Sequence, residues 1–469
     1  MLKYKVLSVS LFVFSFLIST QSLAQKSDSI VIREIFDMEL TQGKSYSNLY
    51  DLCTKVGNRL SGSEGAKKAV QWAKQVMDDM DLDTVYLQAF EAPNWKRGTI
   101  ENAFLLNDGS EKIPLTISAL GHSVGTNGKP IIAEVIEIKS WEEMDELGDE
   151  KLKGKIVFLN RPGDPKYIDT FHSYGGCVDQ RVWGASRAGK YGALAVIARS
   201  ASVTVHGFAH TGVMVYEDGI EKIPAVAIST EHAEFLSNSI IKNKGAKISL
   251  ELNCEMQGTA IEHNVIGEIR GSKYPEEIIV VGGHLDSWDV GQGAHDDGAG
   301  CVHSMEVLQL FKMMNYRPDR TVRCVLWMNE ENGVKGAIKY AEVAKEKGEK
   351  HIAAIESDRG GFTPRGFDVA GEDAVKEQAY KKLQEWKELF KPYKLHHFEY
   401  GYGGVDINKL KDQGPALFGF VPDSQRYFDH HHTHNDNIEG VNKRELEMGS
   451  ASIASLVYLL SKYGMTVPF

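Results

Sequence analysis

The run Ile278-Ile279-Val280-Val281-Gly282-Gly283-His284-Leu285-Asp286-Ser287 decides the fold. Four consecutive β-branched residues without polar alternation read as a strand buried on both faces, as inside a parallel sheet. The strand then breaks on two glycines and delivers an imidazole and a carboxylate. Downstream the pattern repeats. Val302, Met305, Leu308 and Phe311 mark a helix, Thr321–Met328 a strand, Gly333–Lys347 a helix and His351–Ile355 another strand. Apolar strands alternating with helices predict an α/β fold with a mostly parallel sheet flanked by helices.

Upstream, Ser61-Gly62-Ser63-Glu64 has the S-x-x-E spacing of a capping box. Ala66, Ala69, Val70, Ala73, Val76, Met77 and Met80 follow at helical spacing, which predicts a helix over 64–80, with a strand at Thr84–Phe90. Between residues 116 and 261 the texture changes to short β-rich runs at Ile131–Ile138, Lys155–Leu159, Ala193–Ile197 and Ala225–Ile228, with one helical stretch over 180–191. The expected organisation is one α/β domain in two parts, 25–115 and 262–469, interrupted by a β-rich domain at 116–261.

The chain has 469 residues, 42% hydrophobic and 25% charged, which excludes disordered, collagenous and coiled-coil classes. A formal charge of −11 with no basic block excludes nucleic acid as a partner. Residues 1–24 read as a signal peptide: a basic head, an apolar run Val6–Ile18, and Ser22-Leu23-Ala24 as the cleavage pattern. A secreted or periplasmic protein with no membrane span after signal removal is expected. Cys53, Cys177, Cys254, Cys301 and Cys324 are scattered and form no C-x-x-C pair, so a zinc knuckle or disulfide scaffold is not indicated; a single disulfide stays open.

Ligand-type side chains gather where the strands stop. The first strand leads to His284 and Asp286, then to His295-Asp296-Asp297-Gly298-Ala299-Gly300. The next ends at Asn329-Glu330-Glu331-Asn332, and the third at Glu356-Ser357-Asp358. A later apolar run, Ala416–Val421, precedes Asp429-His430-His431-His432-Thr433-His434-Asn435-Asp436. Carboxyl ends of parallel strands share one edge, so His284, Asp296, Glu331, Asp358 and one C-terminal His should converge on one crevice. Singly, each motif has a bland reading as a turn, a solvated strand end or a loose surface chelator. Their joint placement outweighs these readings, and mixed imidazole and carboxylate ligands suit zinc. Consecutive side chains point different ways, so Glu330 stays free to act as a base if Glu331 ligates.

These motifs, with His432-Thr433 followed by Asp436, resemble the M28 family of co-catalytic zinc aminopeptidases and carboxypeptidases. The likeness is strongest to its carboxypeptidase Q branch over His284 to Gly298, and extends to Arg59-Leu60-Ser61-Gly62-Ser63 and Gly403-Gly404-Val405-Asp406. The inserted segment looks like the protease-associated (PA) domain of that branch. The resemblance implies two zinc ions per chain, one on His284 and Asp358, the other on Glu331 and His432, with Asp296 bridging and Glu330 as general acid/base. His432 is preferred because it stands four residues before Asp436; His431 and His434 are weaker candidates. The resemblance further implies a cis peptide between Asp296 and Asp297, Asp286 orienting the imidazole of His284, Asp297 in a supporting role, and Gly403, Gly404 and Asp406 on the substrate side. His295 receives no role.

The expected activity is hydrolysis of dipeptides or short peptides with free ends, amino- or carboxyl-end preference being left open. A crevice lined by Asp286, Asp296, Glu330, Glu331 and Asp358 should favour an α-ammonium. The insertion should wall the site without donating ligands, His172, His206 and His210 lying in glycine-rich loops. Two alternatives are a glutaminyl-cyclase-like mononuclear zinc acyltransferase and an inactive PA-domain binding protein. Oligomeric state stays open, a homodimer included.

Overall fold

Residues 278–281 lie in the middle of an eight-stranded sheet, in a computed structural model that describes residues 28–106 and 112–465. The expected signal peptide lies outside the described residues. Strand Tyr274–His284 runs parallel to Arg320–Trp327 on one side and Lys350–Glu356 on the other, and Ala416–Pro422 continues the parallel set. The flanks are antiparallel: Glu255–Ile269 joins Arg320–Trp327 to Thr84–Lys96, and Pro364–Ala370 pairs with Ala416–Pro422. Successive side chains serve opposite cores, as the pleat requires. Ile279, Val281, Val322 and Cys324 pack with helices Ala299–Met313 and Lys443–Tyr463, whereas Ile278, Val280 and Val325 pack with Lys335–Lys347. The expected α/β class holds.

The second sheet begins and ends earlier than the composition suggested. Strands Glu101–Leu106 and Lys112–Pro114, which precede residue 116, belong to it, and its last strand in the chain is Lys247–Leu252. Residues 255–261 instead extend the strand paired with Thr84–Lys96. The change of sheet therefore falls near 97 and 254. This lobe is mixed α/β, because helices Trp141–Leu152, Asp179–Lys190 and Thr230–Lys242 accompany a parallel centre. The sequence pattern predicted the second of them alone; the first buries only Met144 and Leu152 of its acidic turns, and the third only Thr230, Ala233 and Leu236.

The capping-box reading shifts by two residues. Ser63 is the N-cap of helix Glu64–Asp78, accepting from the Ala66 amide at 3.0 Å. Ser61 accepts a bond from Asn329 Nδ2 at 2.8 Å, and its hydroxyl donates to Asn332 Oδ1 at 3.1 Å, so it ties this segment to the Glu330–Glu331 loop. All five cysteines are buried free thiols.

The two lobes interlock. Trp288, 2% exposed, leaves the loop after His284 and enters the core of the second sheet beside Trp95 and Leu252. Gly121 makes this approach feasible, since a Cβ there would lie 2.0 Å from the indole ring.

Glu39, on the helix over residues 28–42, faces Glu306 of Ala299–Met313, and neither is exposed. Burial, then the charge of Glu306, pushes Glu39 up to about 10, and burial raises Glu306 too. The unfolded chain releases this proton near pH 4.5, the folded chain only near 10, so stability falls as pH rises between those values. Glu39→Gln removes that titration. Thermal scans should find it matching wild type near pH 4 and gaining on it steadily as pH rises to 8; parallel curves would remove Glu39 from the pH dependence.

Candidate metal centre

The four parallel strands end in loops that deliver His284, Glu331, Asp358 and His432 to one side of the sheet, and Asp296 lies between them. His284 Nε2 stands 3.2 Å from Asp296 Oδ1 and 3.3 Å from Asp358 Oδ1. His432 Nε2 stands 3.2 Å from Asp296 Oδ2 and 3.0 Å from Glu331 Oε2. Each oxygen of Asp296 thus faces a different imidazole. His431 Nε2 is more distant from Asp296 Oδ2, at 3.9 Å, and its ring stacks on His432 with centroids 3.6 Å apart. His434 is exposed and takes no part. The Asp296–Asp297 peptide is cis.

Tautomers decide what fits between these groups. His284 Nδ1 lies 3.0 Å from the Asp286 carbonyl, and His432 Nδ1 3.2 Å from the Thr211 carbonyl. A carbonyl can only accept, so His284 Nδ1 carries the proton and donates; His432 Nδ1 stands between the Thr211 carbonyl and a donor, Arg181 Nη1 at 3.4 Å, with the carbonyl nearer. Each Nε2 faces two carboxylate oxygens, and either a shared proton or a metal cation fills such a gap. Asp296 Oδ2, Glu331 Oε1 and Asp358 Oδ1 are buried and have no hydrogen-bond partner among the described residues. Nitrogen and oxygen ligands at 2.0–2.1 Å from a tetrahedral ion lie about 3.3 Å apart, which these spacings match. The donor set fits a metal.

The electrostatics show the same tension. Burial opposes charge on His284, yet Asp358 and Asp296 hold it well above its ordinary value. Burial likewise opposes charge on His432, but Glu331 and Asp296 bring it to about 9. Glu331 rises to about 7 through burial and then the Asp296 charge. Glu330 is pushed well above the carboxylate range by burial, with Asp358, Glu331 and Asp286 adding to it. Protons shared in this way are what a divalent cation displaces.

Supporting groups differ in part from expectation. The Asp286 carbonyl, not its carboxylate, holds the imidazole of His284; the carboxylate is 3.8 Å away and accepts the amides of Glu330 at 3.0 Å and Glu331 at 3.3 Å. It shapes the loop that presents both glutamates. Asp297 accepts the amides of His284 at 3.0 Å and Gly300 at 2.9 Å. Asp436 accepts those of His295 at 2.8 Å and Asp296 at 3.1 Å. Arg59, fully buried, donates to the carbonyls of Leu285, Gln292 and Gly293 and so braces the loop leading to Asp296. His295 stacks on Phe362 with centroids 4.1 Å apart, and burial drives its pKa to about 3, so it is a neutral packing residue.

A cavity of about 960 Å³ opens above the cluster, lined by Asp296, Glu330, Glu331, Asp358 and His432 and, from the insertion, by Phe171, Tyr174 and Arg181. Gly403 and Gly404 line it, whereas Asp286 and Asp406 are buried behind its wall. Glu356 takes the place expected for Asp406, lining the cavity and accepting the amides of Val405 and Ile407, each at 2.8 Å. Glu356 and Arg59 appear in the sequence only as members of motifs with no role attached, and nothing there points to Arg181 or Thr211, whose contacts span remote parts of the chain. Of the histidines set aside in the insertion, His172 is exposed, and His206 and His210 face each other with Nε2 atoms 3.2 Å apart.

Residues 264–457 match the model of peptidase family M28. Carboxypeptidase Q of Bos taurus is 35% identical over 91% of this chain and 87% of its own length, and that of Xenopus laevis is 38% identical over 87% and 84%. The chain belongs to peptidase family M28. It is a metallo-exopeptidase. The crystal structure of a peptidase M28 precursor from Shewanella amazonensis SB2B superposes with a TM-score of 0.87 at 31% identity, covering 93% of this chain and 97% of that one. A zinc aminopeptidase from Bacillus subtilis shares the fold, with a TM-score of 0.62 at 21% identity, covering 88% and 94%.

Asp436→Asn keeps only one acceptor oxygen for two amides, so the backbone of Asp296 loses its anchor. Metal affinity, read by chelator competition, should fall about 10–100-fold while the fold persists. Unchanged affinity would show that Asp436 does not position the centre.

Proposed function

We propose that this M28 peptidase is an exported dinuclear zinc enzyme that hydrolyses dipeptides and other short peptides with free ends, with Glu330 as its general base. The observation that carries the reading is the pair of buried imidazole Nε2 atoms, each turned toward two carboxylates, with Asp296 common to both. Zinc held by His284, Asp296 and Asp358, and by Asp296, Glu331 and His432, would supply Lewis-acid polarisation of a peptide carbonyl and acidify a water.

Glu330 supplies the proton chemistry. Its Oε2 stands 4.0 Å from His284 Nε2, farther back than the ligand oxygens of Asp296 and Asp358 at 3.2 and 3.3 Å. It lines the cavity, and burial raises its affinity for a proton. The carboxylate takes a proton from the attacking water and returns it to the leaving amine. Asp286 holds its amide, which fixes where the carboxylate can reach.

Substrate size follows from the walls. The cavity lies between Phe171, Tyr174 and Val213 of the insertion and Tyr400, Tyr402 and Gly403 of the catalytic lobe. That space suits a short peptide, and Glu356 beside the ligand carboxylates favours an uncompensated α-ammonium. The PA-like insertion acts as a fixed wall. A mononuclear acyltransferase would need only one of the two clusters, and a dead scaffold would need neither Glu330 nor the ligands. Export rests on the signal-type residues 1–24; no helix among the described residues is long and apolar enough to cross a membrane.

Protein purified without chelator should hold close to two zinc ions per chain; one ion with full activity would overturn the dinuclear reading. Glu330→Gln should retain both ions and lose about 10²–10⁴-fold in kcat, and a variant keeping more than about a tenth of the rate would remove Glu330 from the mechanism. A free dipeptide should be cleaved far faster than its N-acetyl form. Comparable cleavage of the acetylated peptide, or of a long internally quenched one, would refute recognition of free ends.

A further inference from the structure

The two imidazoles of the centre are held by different lobes. The ring of His284 is fixed by Asp286, two residues along the same loop. The ring of His432 meets the insertion instead: its Nδ1 lies 3.2 Å from the carbonyl of Thr211, 221 residues away in sequence, and 3.4 Å from Arg181 Nη1, which also donates to that carbonyl at 3.3 Å. The link is double, because the Thr211 amide also donates to the His432 carbonyl at 3.0 Å. Thr211 is fully buried. Its neighbour Gly212 accepts the amide of Gly121 at 2.9 Å, which joins this strip to the body of the insertion.

Arg97 locks Thr211 to both lobes. It sits at the junction where the chain leaves the first sheet and is 7% exposed. Its Nη2 donates to Thr211 Oγ1 at 3.3 Å and to Asp289 Oδ1 at 2.6 Å, and Nε reaches the same carboxylate at 2.9 Å. Its Nη1 donates to the Ala119 carbonyl at 2.6 Å and to Glu101 Oε1 at 3.0 Å. The Thr211 hydroxyl donates to that Ala119 carbonyl at 2.7 Å. Asp289 follows Trp288 in the loop that starts at His284, so one guanidinium spans the catalytic lobe and the strip that holds His432. A buried forked pair of this kind fixes geometry more tightly than a flexible ammonium could.

We infer that the insertion is a positioning element for one half of the metal pair: Thr211, braced by Arg97, sets the ring of His432 and so tunes the ion on His432 and Glu331 more than the ion on His284 and Asp358, with which it shares Asp296. The inference rests on the two-ion reading given above. It makes the insertion part of the metal centre although it donates no ligand. Groups that orient a ligating imidazole typically change metal affinity about 10–100-fold when removed.

The test uses full-length protein stripped of metal and titrated with Zn²⁺ against a chromophoric chelator, for wild type, Arg97→Gln, Thr211→Val, His432→Ala and the double variant Arg97→Gln/His432→Ala. The expected result is two equivalents in wild type. In Arg97→Gln one equivalent should weaken about 10–100-fold and the other much less, and Thr211→Val should show a smaller loss in the same equivalent. His432→Ala should lack that equivalent, and adding Arg97→Gln should change the remaining one by less than about twofold. Wild-type affinities in both Arg97→Gln and Thr211→Val, or equal weakening of both equivalents, would overturn the inference. Thr211→Val keeps the backbone link and side-chain volume and removes only the hydroxyl's bonds to Arg97 and Ala119, so wild-type affinity in it overturns the part given to Arg97 if Arg97→Gln does not fold. A single equivalent in wild type overturns the two-ion reading and this inference with it, and is seen before any variant is compared.

Discussion

Asp296 is 5% exposed, and its two oxygens face two imidazoles whose far nitrogens lie against carbonyls. Leaving such a carboxylate without a counter-charge would cost several kcal/mol, since a buried ion keeps little of its hydration. The surrounding structure is arranged around that constraint. Asp436 holds its amide, Arg59 braces the loop before it, and Asp297 locks the next residue to the backbone of His284. Acids that face the imidazoles and acids that organise the backbone are separate sets. Asp286, Asp297 and Asp436 spend their oxygens on amides, which leaves Asp296, Glu331 and Asp358 with oxygens free.

This division of labour accounts for the position of Glu330. The same Asp286 carboxylate takes the amides of Glu330 and Glu331, and the two side chains then diverge, one toward His432 and the other toward the cavity. A single loop thereby sends one carboxylate into the imidazole cluster and the other to the cavity. Behind it, Asn329 and Ser61 tie the loop to the segment before helix Glu64–Asp78, which brings the amino-terminal part of the chain to bear on the chemistry.

The insertion is built into the catalytic lobe. Trp288 packs against Gly121, Arg97 bridges to Asp289, and Thr211 grips His432. These contacts involve large buried side chains and a forked ion pair, so the lobes resist separation, and the cavity between them has a shape set by folding. A wall held so firmly suits recognition of small substrates by their ends.

How much of this was legible in the sequence follows the range of each interaction. Runs such as 278–281 and 321–328 specify strands by local pattern, and parallel strands must end on a common edge, so His284, Asp296, Glu331, Asp358 and a C-terminal histidine could be named before any coordinates. Local pattern could not place the edges of the insertion, because Glu101–Leu106 joins the second sheet only by pairing with Lys247–Leu252, far along the chain. Nor could it show that Asp286 works through its carbonyl or that Asp406 lies behind the cavity wall, since both depend on where a loop turns in space. The grip of Arg97 and Thr211 on His432 was invisible for the same reason. The sequence by itself determined the fold class and the chemistry at the strand ends, because both follow from short-range periodicity. Tertiary structure alone decided which groups orient that chemistry, because hydrogen bonds across 200 residues depend on packing and leave no periodic trace.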